Sequence, residues 1–125
     1  MLDAPCSATG TIRRHPELPW IKNASDVTLC AQAAGELLDA AAEMVAPDGL
    51  LVFATCSLER EEGPEQIAAF LARDARFSRV GLSAADLFGH GEFIDGDGDL
   101  RTLPCHLSDR GGMDGFYATR LRRVS

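Results

Sequence analysis

An apolar run that stops abruptly at a cysteine constrains this chain more than any other stretch. Leu50–Ala54 (LLVFA) is short, partly β-branched and aromatic, the composition of a buried strand. Pro47-Asp48-Gly49 in front of it is turn chemistry that ends one element and begins the next. Behind it come Thr55-Cys56-Ser57, the acidic Glu59, Glu61 and Glu62, and then Gly63-Pro64, a helix start. A thiol at the carboxyl end of a buried parallel strand lies where open α/β sheets put their ligand crevice. Cys56 is therefore the residue to account for, against the alternative that it is a small inert core residue.

The flanking pattern supplies the rest of such a sheet. Val27, Ala31, Ala34, Leu38, Ala41 and Val45 alternate steps of four and three, which predicts an amphipathic helix from about Ser25 to Val45. Leu37 and Met44 widen the stripe, and Cys30 sits one position off it, a packing residue. Ser25 or Asn23 can cap the start, Asp26 suits the positive end of the dipole, and Pro47 and Gly49 stop the helix. Pro64 to Arg73 predicts a second helix with Ile67, Phe70 and Leu71 inward. Short strands follow at Phe77–Leu82, Leu100–Leu103 and Phe116–Leu121, the last two joined by a Gly111-Gly112 loop. Asp95-Gly-Asp-Gly-Asp99 lacks the full spacing of a calcium loop and reads as a hairpin-type turn. Alternating strands and helices predict a doubly wound α/β sheet, with an antiparallel hairpin at one edge.

A second strand end of the same design opens the chain. Met1-Leu2-Asp3 reads as the last residues of a strand, and Ala4–Gly10 as a tight loop carrying Cys6. Consecutive parallel strands joined by a crossover helix present their carboxyl ends on the same side. Asp3, Cys6 and Cys56 are therefore expected to converge on one crevice.

Composition removes several function classes. The net charge of −7 argues against unaided nucleic-acid binding, and the local clusters Arg13-Arg14-Lys22 and Arg120-Arg122-Arg123 read first as solvated surface. Four scattered cysteines without a C-x-x-C pair speak for reduced thiols in a cytosolic protein rather than disulfides or zinc. No apolar run approaches the roughly 18 residues that span a bilayer, and the start has no signal-peptide pattern. His15 reads as a surface residue, and His90 and His106 have no ligand-spaced partners. Glu59, Glu61 and Glu62 read as a solvated helix entry.

DAPCSATGTIRRHPELPW, then a helix containing LLDAAAEMV, then PDGLLVFATCSLEREEG, resembles the Sun/Nop-type S-adenosylmethionine-dependent RNA cytosine-5 methyltransferases. The closing MDGFYATRLRR resembles the final strand of the same domain. The resemblance implies part of a Rossmann-like class I methyltransferase sheet, with parallel strands, crossover helices and a closing antiparallel hairpin. It implies that Cys56 is the nucleophile adding to carbon 6 of cytosine and that Cys6 assists product release. Asp3 would lie at the junction of cofactor and base. The cofactor would be S-adenosylmethionine and the substrate RNA, with ribosomal RNA expected, in the cytoplasm, without a metal or a membrane.

In that family the glycine-rich cofactor loop and the basic RNA-binding region precede the D-A-P-C-S loop. Neither has a counterpart here, since Gly111-Gly112 precedes a strand. Residues 1–125 are accordingly expected to form the C-terminal half of a catalytic domain, inactive without an upstream half and prone to instability or association at an open sheet edge. The competing readings are a non-catalytic binding module, a DNA cytosine-5 methyltransferase, and a thiol-dependent redox or hydrolytic enzyme. The second would require P-C-Q where Ser7 follows Cys6, and the third lacks a C-x-x-C motif or a histidine placed to serve the thiol.

Overall fold

The computed structural model describes residues 1–125. Strand β1 (Leu2–Asp3) is followed by a loop, a short helix α1 (Leu18–Ile21) and the long helix α2 (Ala24–Glu43). Then come β2 (Leu50–Thr55), α3 (Pro64–Arg73), β3 (Phe77–Arg79), β4 (Leu100–Thr102) and β5 (Phe116–Arg123).

Local chemistry sets the element ends. Asn23 caps α2: its side-chain oxygen accepts from the Ser25 and Asp26 amides at 2.9 and 3.2 Å, and Asp26 accepts back from the Asn23 amide at 2.9 Å. Asp48, in the left-handed region at φ 63°, turns the chain into β2. Pro64 occupies the first turn of α3, where a missing amide hydrogen costs nothing. In the Asp95–Asp99 turn the Asp95 side chain accepts from the amides of Asp97 and Asp99, and Ile94 bridges Leu100. That is the expected hairpin-type geometry.

The sheet runs β1-β2-β5-β3, with β4 also paired to β5. β1 and β2 are parallel, and β5 is antiparallel to β2, β3 and β4. Two features depart from the sequence reading. β5 is not an edge strand: it lies between β2 on one side and β3 and β4 on the other. Eight residues long, it satisfies its backbone on both edges there, while the three-residue β3 and β4 take the exposed side, where short strands invite least mispairing. Both long helices also cover one face rather than two. Right-handed crossovers that advance in one direction along a sheet leave their helices on the same side.

That covered face is the core. Leu51 and Phe53 of β2, Tyr117 and Leu121 of β5, and Phe77 of β3 pack against Ala34, Leu38 and Ala42 of α2 and Ile67 and Phe70 of α3, all buried. The unpaired edge is made of β1 and of the start of β2, Leu50–Val52, which β1 does not reach. No helix is long and apolar enough to cross a membrane.

Towards β3 and β4 the same face turns polar. Asp99 is almost fully buried and accepts from Tyr117 Oη at 2.6 Å and Thr119 Oγ1 at 2.5 Å, with the Arg79 guanidinium 3.2 Å away. Burial pushes its carboxyl above the ordinary value, and the two hydroxyls work against that shift.

Candidate active site

Both cysteine loops leave the sheet at the carboxyl ends of adjacent parallel strands. The Ala4 amide, donating to Ala54 O at 2.8 Å, carries the β1–β2 pairing one step beyond Asp3. After that step the loops turn towards each other, and Cys6 Sγ and Cys56 Sγ stand 3.3 Å apart, both half-buried. Asp3 lies exposed at the end of β1 and near enough for its charge to act on Cys56. Its carboxylate has no hydrogen-bond or ion-pair partner within the chain, and so is free to receive a donor from a ligand.

A third segment, invisible in the sequence, closes the site. The Gly10 amide donates to Cys56 O at 2.8 Å, and the Gly115 amide donates to Gly10 O at 2.7 Å. A Cβ on Gly10 would stand 2.1 Å from Gly115 O and 2.5 Å from Cys56 O, so only glycine allows the three backbones to meet. The basic pair read as solvated surface holds this junction. Arg14 is bidentate to Asp114, Nε donating to Oδ1 at 3.1 Å and Nη2 to Oδ2 at 2.5 Å, and Arg13 donates to Gly111 O at 2.7 Å. The guanidinium beside it holds the Asp114 carboxyl below the usual carboxylate range.

Glu62 corrects the sequence reading most sharply. It is not part of a solvated helix entry but is fully buried at the end of the short helical turn Arg60–Glu62. Its Oε1 accepts from the Ser7 amide at 2.7 Å, and its Oε2 accepts from Ser7 Oγ at 2.6 Å and from Ser57 Oγ. The two serines directly follow the two cysteines. No cation lies within ion-pair distance of this carboxylate. Around it, Thr9 Oγ1 accepts from the Leu58 amide at 2.9 Å, and Ser57 Oγ accepts from the Glu59 amide at 2.9 Å.

Arg101 of β4 holds the other side of the Cys56 loop. Its Nη1 donates to Ser57 O at 2.9 Å, and its guanidinium stacks on Tyr117 with 5.1 Å to the ring centroid. No carboxylate pairs with it, and burial draws its pKa down. Cys56 itself is a neutral thiol at physiological pH. Burial first, then the hydrogen bond and charge of Cys6, push it up to about 12, and the Asp3 carboxylate adds to the shift. Beside the Cys6 loop a cleft of about 490 Å³ opens between Ser7, Thr9, Ile12 and Leu18 and the first turn of α2. Cys30 is half-buried on α2, and Cys105 is exposed, so neither joins the thiol pair.

Known proteins match nearly the whole length of the chain. The sequence profile described as 16S rRNA methyltransferase RsmB/F matches residues 1–122. A protein of Vibrio vulnificus named ribosomal RNA small subunit methyltransferase B is 51% identical over 117 residues, which are 94% of this chain and 24% of that protein. Among solved structures, PH0851 superposes with a TM-score of 0.85 at 33% identity, covering 98% of this chain and 26% of the other. The structure of NSun6 from Pyrococcus horikoshii with SFG gives a TM-score of 0.75 at 24% identity over 99% of this chain and 29% of the other, a likeness of fold. The chain thus spans about a quarter of the length of the relatives it matches. With a matching profile from end to end and the same fold, it belongs to the 16S rRNA methyltransferase RsmB/F family.

Proposed function

We propose that this chain is the thiol-bearing part of an S-adenosylmethionine-dependent RNA cytosine-5 methyltransferase acting on ribosomal RNA in the cytoplasm. The observation that carries the reading is the Cys6–Cys56 separation of 3.3 Å at two parallel strand ends, with the Asp3 carboxylate alongside.

Carbon 5 of cytosine is a poor nucleophile until a thiolate adds to carbon 6. In this reading the Cys56 sulfur bonds to carbon 6 as it gives up its proton, the 5,6 double-bond electrons move into the ring, where nitrogen 3 takes up a proton, and carbon 5 becomes enamine-like. Asp3 contacts the cytosine ring, where it can accept from the exocyclic amino group, or would accept from the amino group of the cofactor's methionine portion. S-adenosylmethionine, when bound, supplies an electrophilic methyl group for carbon 5. Loss of the carbon-5 proton to a base then re-forms the double bond and expels Cys56 as thiolate. Cys6, adjacent to the sulfur that leaves, assists that release.

The residues present fit the cofactor in part. Asp3 offers an exposed, unpartnered carboxylate at a strand end, whereas residues 1–125 contain no glycine-rich strand-to-helix turn of the kind that would hold the remainder. Residues 1–125 are then one portion of the catalytic domain, and an upstream half-domain, fused or separate, is its first partner.

The test supplies that upstream half and follows methyl transfer to ribosomal RNA. Cys56→Ala is expected to abolish transfer. Cys6→Ala is expected to build up a covalent protein–RNA adduct, seen as a shifted band under denaturing conditions. Retained activity in Cys56→Ala overturns the nucleophile assignment, and an adduct-free, fully active Cys6→Ala removes the release role.

A further inference from the structure

We propose that Glu62 is the positioning residue that holds the two thiols of this site in register, acting through Ser7 and Ser57. The proposal rests on the reading of Cys6 and Cys56 as the reacting pair, and it assigns the geometry of that pair to a residue that touches neither sulfur.

A carboxylate with no exposed surface and no cation nearby loses its hydration on folding and must recover it from hydrogen bonds. Glu62 recovers it from three donors on two loops: the amide and hydroxyl of Ser7 and the hydroxyl of Ser57. Such charge-assisted bonds are stronger and more directional than neutral ones. The Ser57 hydroxyl oxygen already accepts from the Glu59 amide, so its proton is directed to Glu62. A single peptide bond separates each of these anchors from a cysteine. The Arg60–Glu62 turn lies between α2 and α3, so the reference point itself is fixed by the core. Ala4–Ala54 and Gly10–Cys56 tie the loops through their backbones, Thr9 Oγ1 takes the Leu58 amide and Arg101 holds Ser57 O, but Glu62 is the side chain bonded to the residue after each cysteine.

The test needs neither RNA nor cofactor. The chain carrying Cys30→Ser and Cys105→Ser is equilibrated with mixtures of reduced and oxidised glutathione, and the Cys6–Cys56 disulfide is quantified by mass spectrometry. Each oxidation forms one protein S–S bond and breaks one in glutathione disulfide, whose two sulfurs leave as glutathione thiols carrying the two protons. The ratio of products measures the effective concentration of one thiol at the other. Glu62→Gln is expected to lower that concentration about tenfold or more, the scale of one lost charge-assisted hydrogen bond. Urea denaturation run in parallel ensures that only folded protein is compared, so a purely structural role would shift the midpoint and leave the folded-state ratio unchanged. Ser7→Ala and Ser57→Ala, which keep the core carboxylate, are expected to lower it about threefold each through one lost bond, and they decide the matter if Glu62→Gln does not fold. An effective concentration within twofold of the parent in the folded variants overturns the proposal. That failure would leave the methyl-transfer assignment standing, just as loss of that assignment would leave the thiol equilibrium to be judged by itself.

Discussion

Gly10→Ala is the perturbation that best tests whether the three loops of the site close as described. A Cβ there would sit 2.1 Å from Gly115 O, 2.7 Å from Gly115 C and 2.5 Å from Cys56 O, all backbone atoms that cannot swing aside. Ordinary van der Waals contact begins at 3.4 Å, so the segments must separate by about 1.3 Å to admit a methyl group. Separation on that scale breaks both the Gly10–Cys56 and Gly115–Gly10 hydrogen bonds, now 2.8 and 2.7 Å. At about 1 kcal/mol net per bond and about 1–3 kcal/mol for overpacking, the loss comes to roughly 3–5 kcal/mol. A domain of this size holds on the order of 5–15 kcal/mol in all. With a urea slope near 2 kcal/mol/M, the denaturation midpoint should fall by about 1.5–2.5 M. Gly81→Ala is the matched control, because a Cβ there meets no atom within 4 Å; its midpoint should move by no more than about 0.5 kcal/mol in free-energy terms. A Gly10→Ala loss under about 1 kcal/mol would show that the loops are not in contact in solution and would refute the reasoning.

Two further outcomes concern the thiol and the buried polar cluster. Cys56, raised from 9.0 to about 12, keeps its proton in the folded state while the unfolded chain gives it up. Its contribution is therefore complete below pH 9 and lost as pH rises through that window, so wild-type urea midpoints should fall more steeply than those of Cys56→Ala above pH 9. At pH 8, iodoacetamide should label the exposed Cys105 well before Cys56, and equal labelling rates would contradict the burial effect. Tyr117→Phe deletes the 2.6 Å bond to the buried Asp99 without changing the packing volume appreciably; it should cost about 1–3 kcal/mol in urea denaturation, and no measurable change would mean that Asp99 finds another donor.

Much of this fold could be read from local pattern. The apolar stripe and the Asn23 and Pro64 starts mark α2 and α3, because periodicity and capping are short-range properties. The meeting of Cys6 with Cys56 follows from one topological rule about parallel strands and a crossover helix. What escaped the sequence is set by pairs far apart in the chain. Arg14 and Asp114 are 100 residues apart, Ser7 and Glu62 are 55 apart, and nothing local marks either pair. Glu62 in particular sits in an acidic run whose other members are at the surface. Its burial follows from Gly63, where a Cβ would stand 3.0 Å from the Tyr117 ring, so the turn beds directly on β5. The two serines in matching positions after the two cysteines were the one available sign of a shared buried acceptor. The interior place of β5 was equally hidden, since alternation along a strand reports which face is buried and says nothing about which neighbours flank it.

The proposed chemistry asks the two sulfurs to act in turn, and their spacing favours that order. Two thiolates 3.3 Å apart would repel by about 5 kcal/mol at an effective dielectric near 20. The pair therefore carries at most one negative charge at a time. The burial that lifts Cys56 to about 12 keeps its resting thiol neutral, and it guards that sulfur against oxidation and alkylation while no substrate is bound. An incoming base that displaces water and offers a polarised ring changes the balance at the moment of attack. Once the Cys56 sulfur is in a thioether its charge is gone from the site, and the space for one negative charge passes to its neighbour. A pair held farther apart would lose this alternation. On this argument the Glu62 bracket matters as much for the sequence of proton movements as for the stability of the loops.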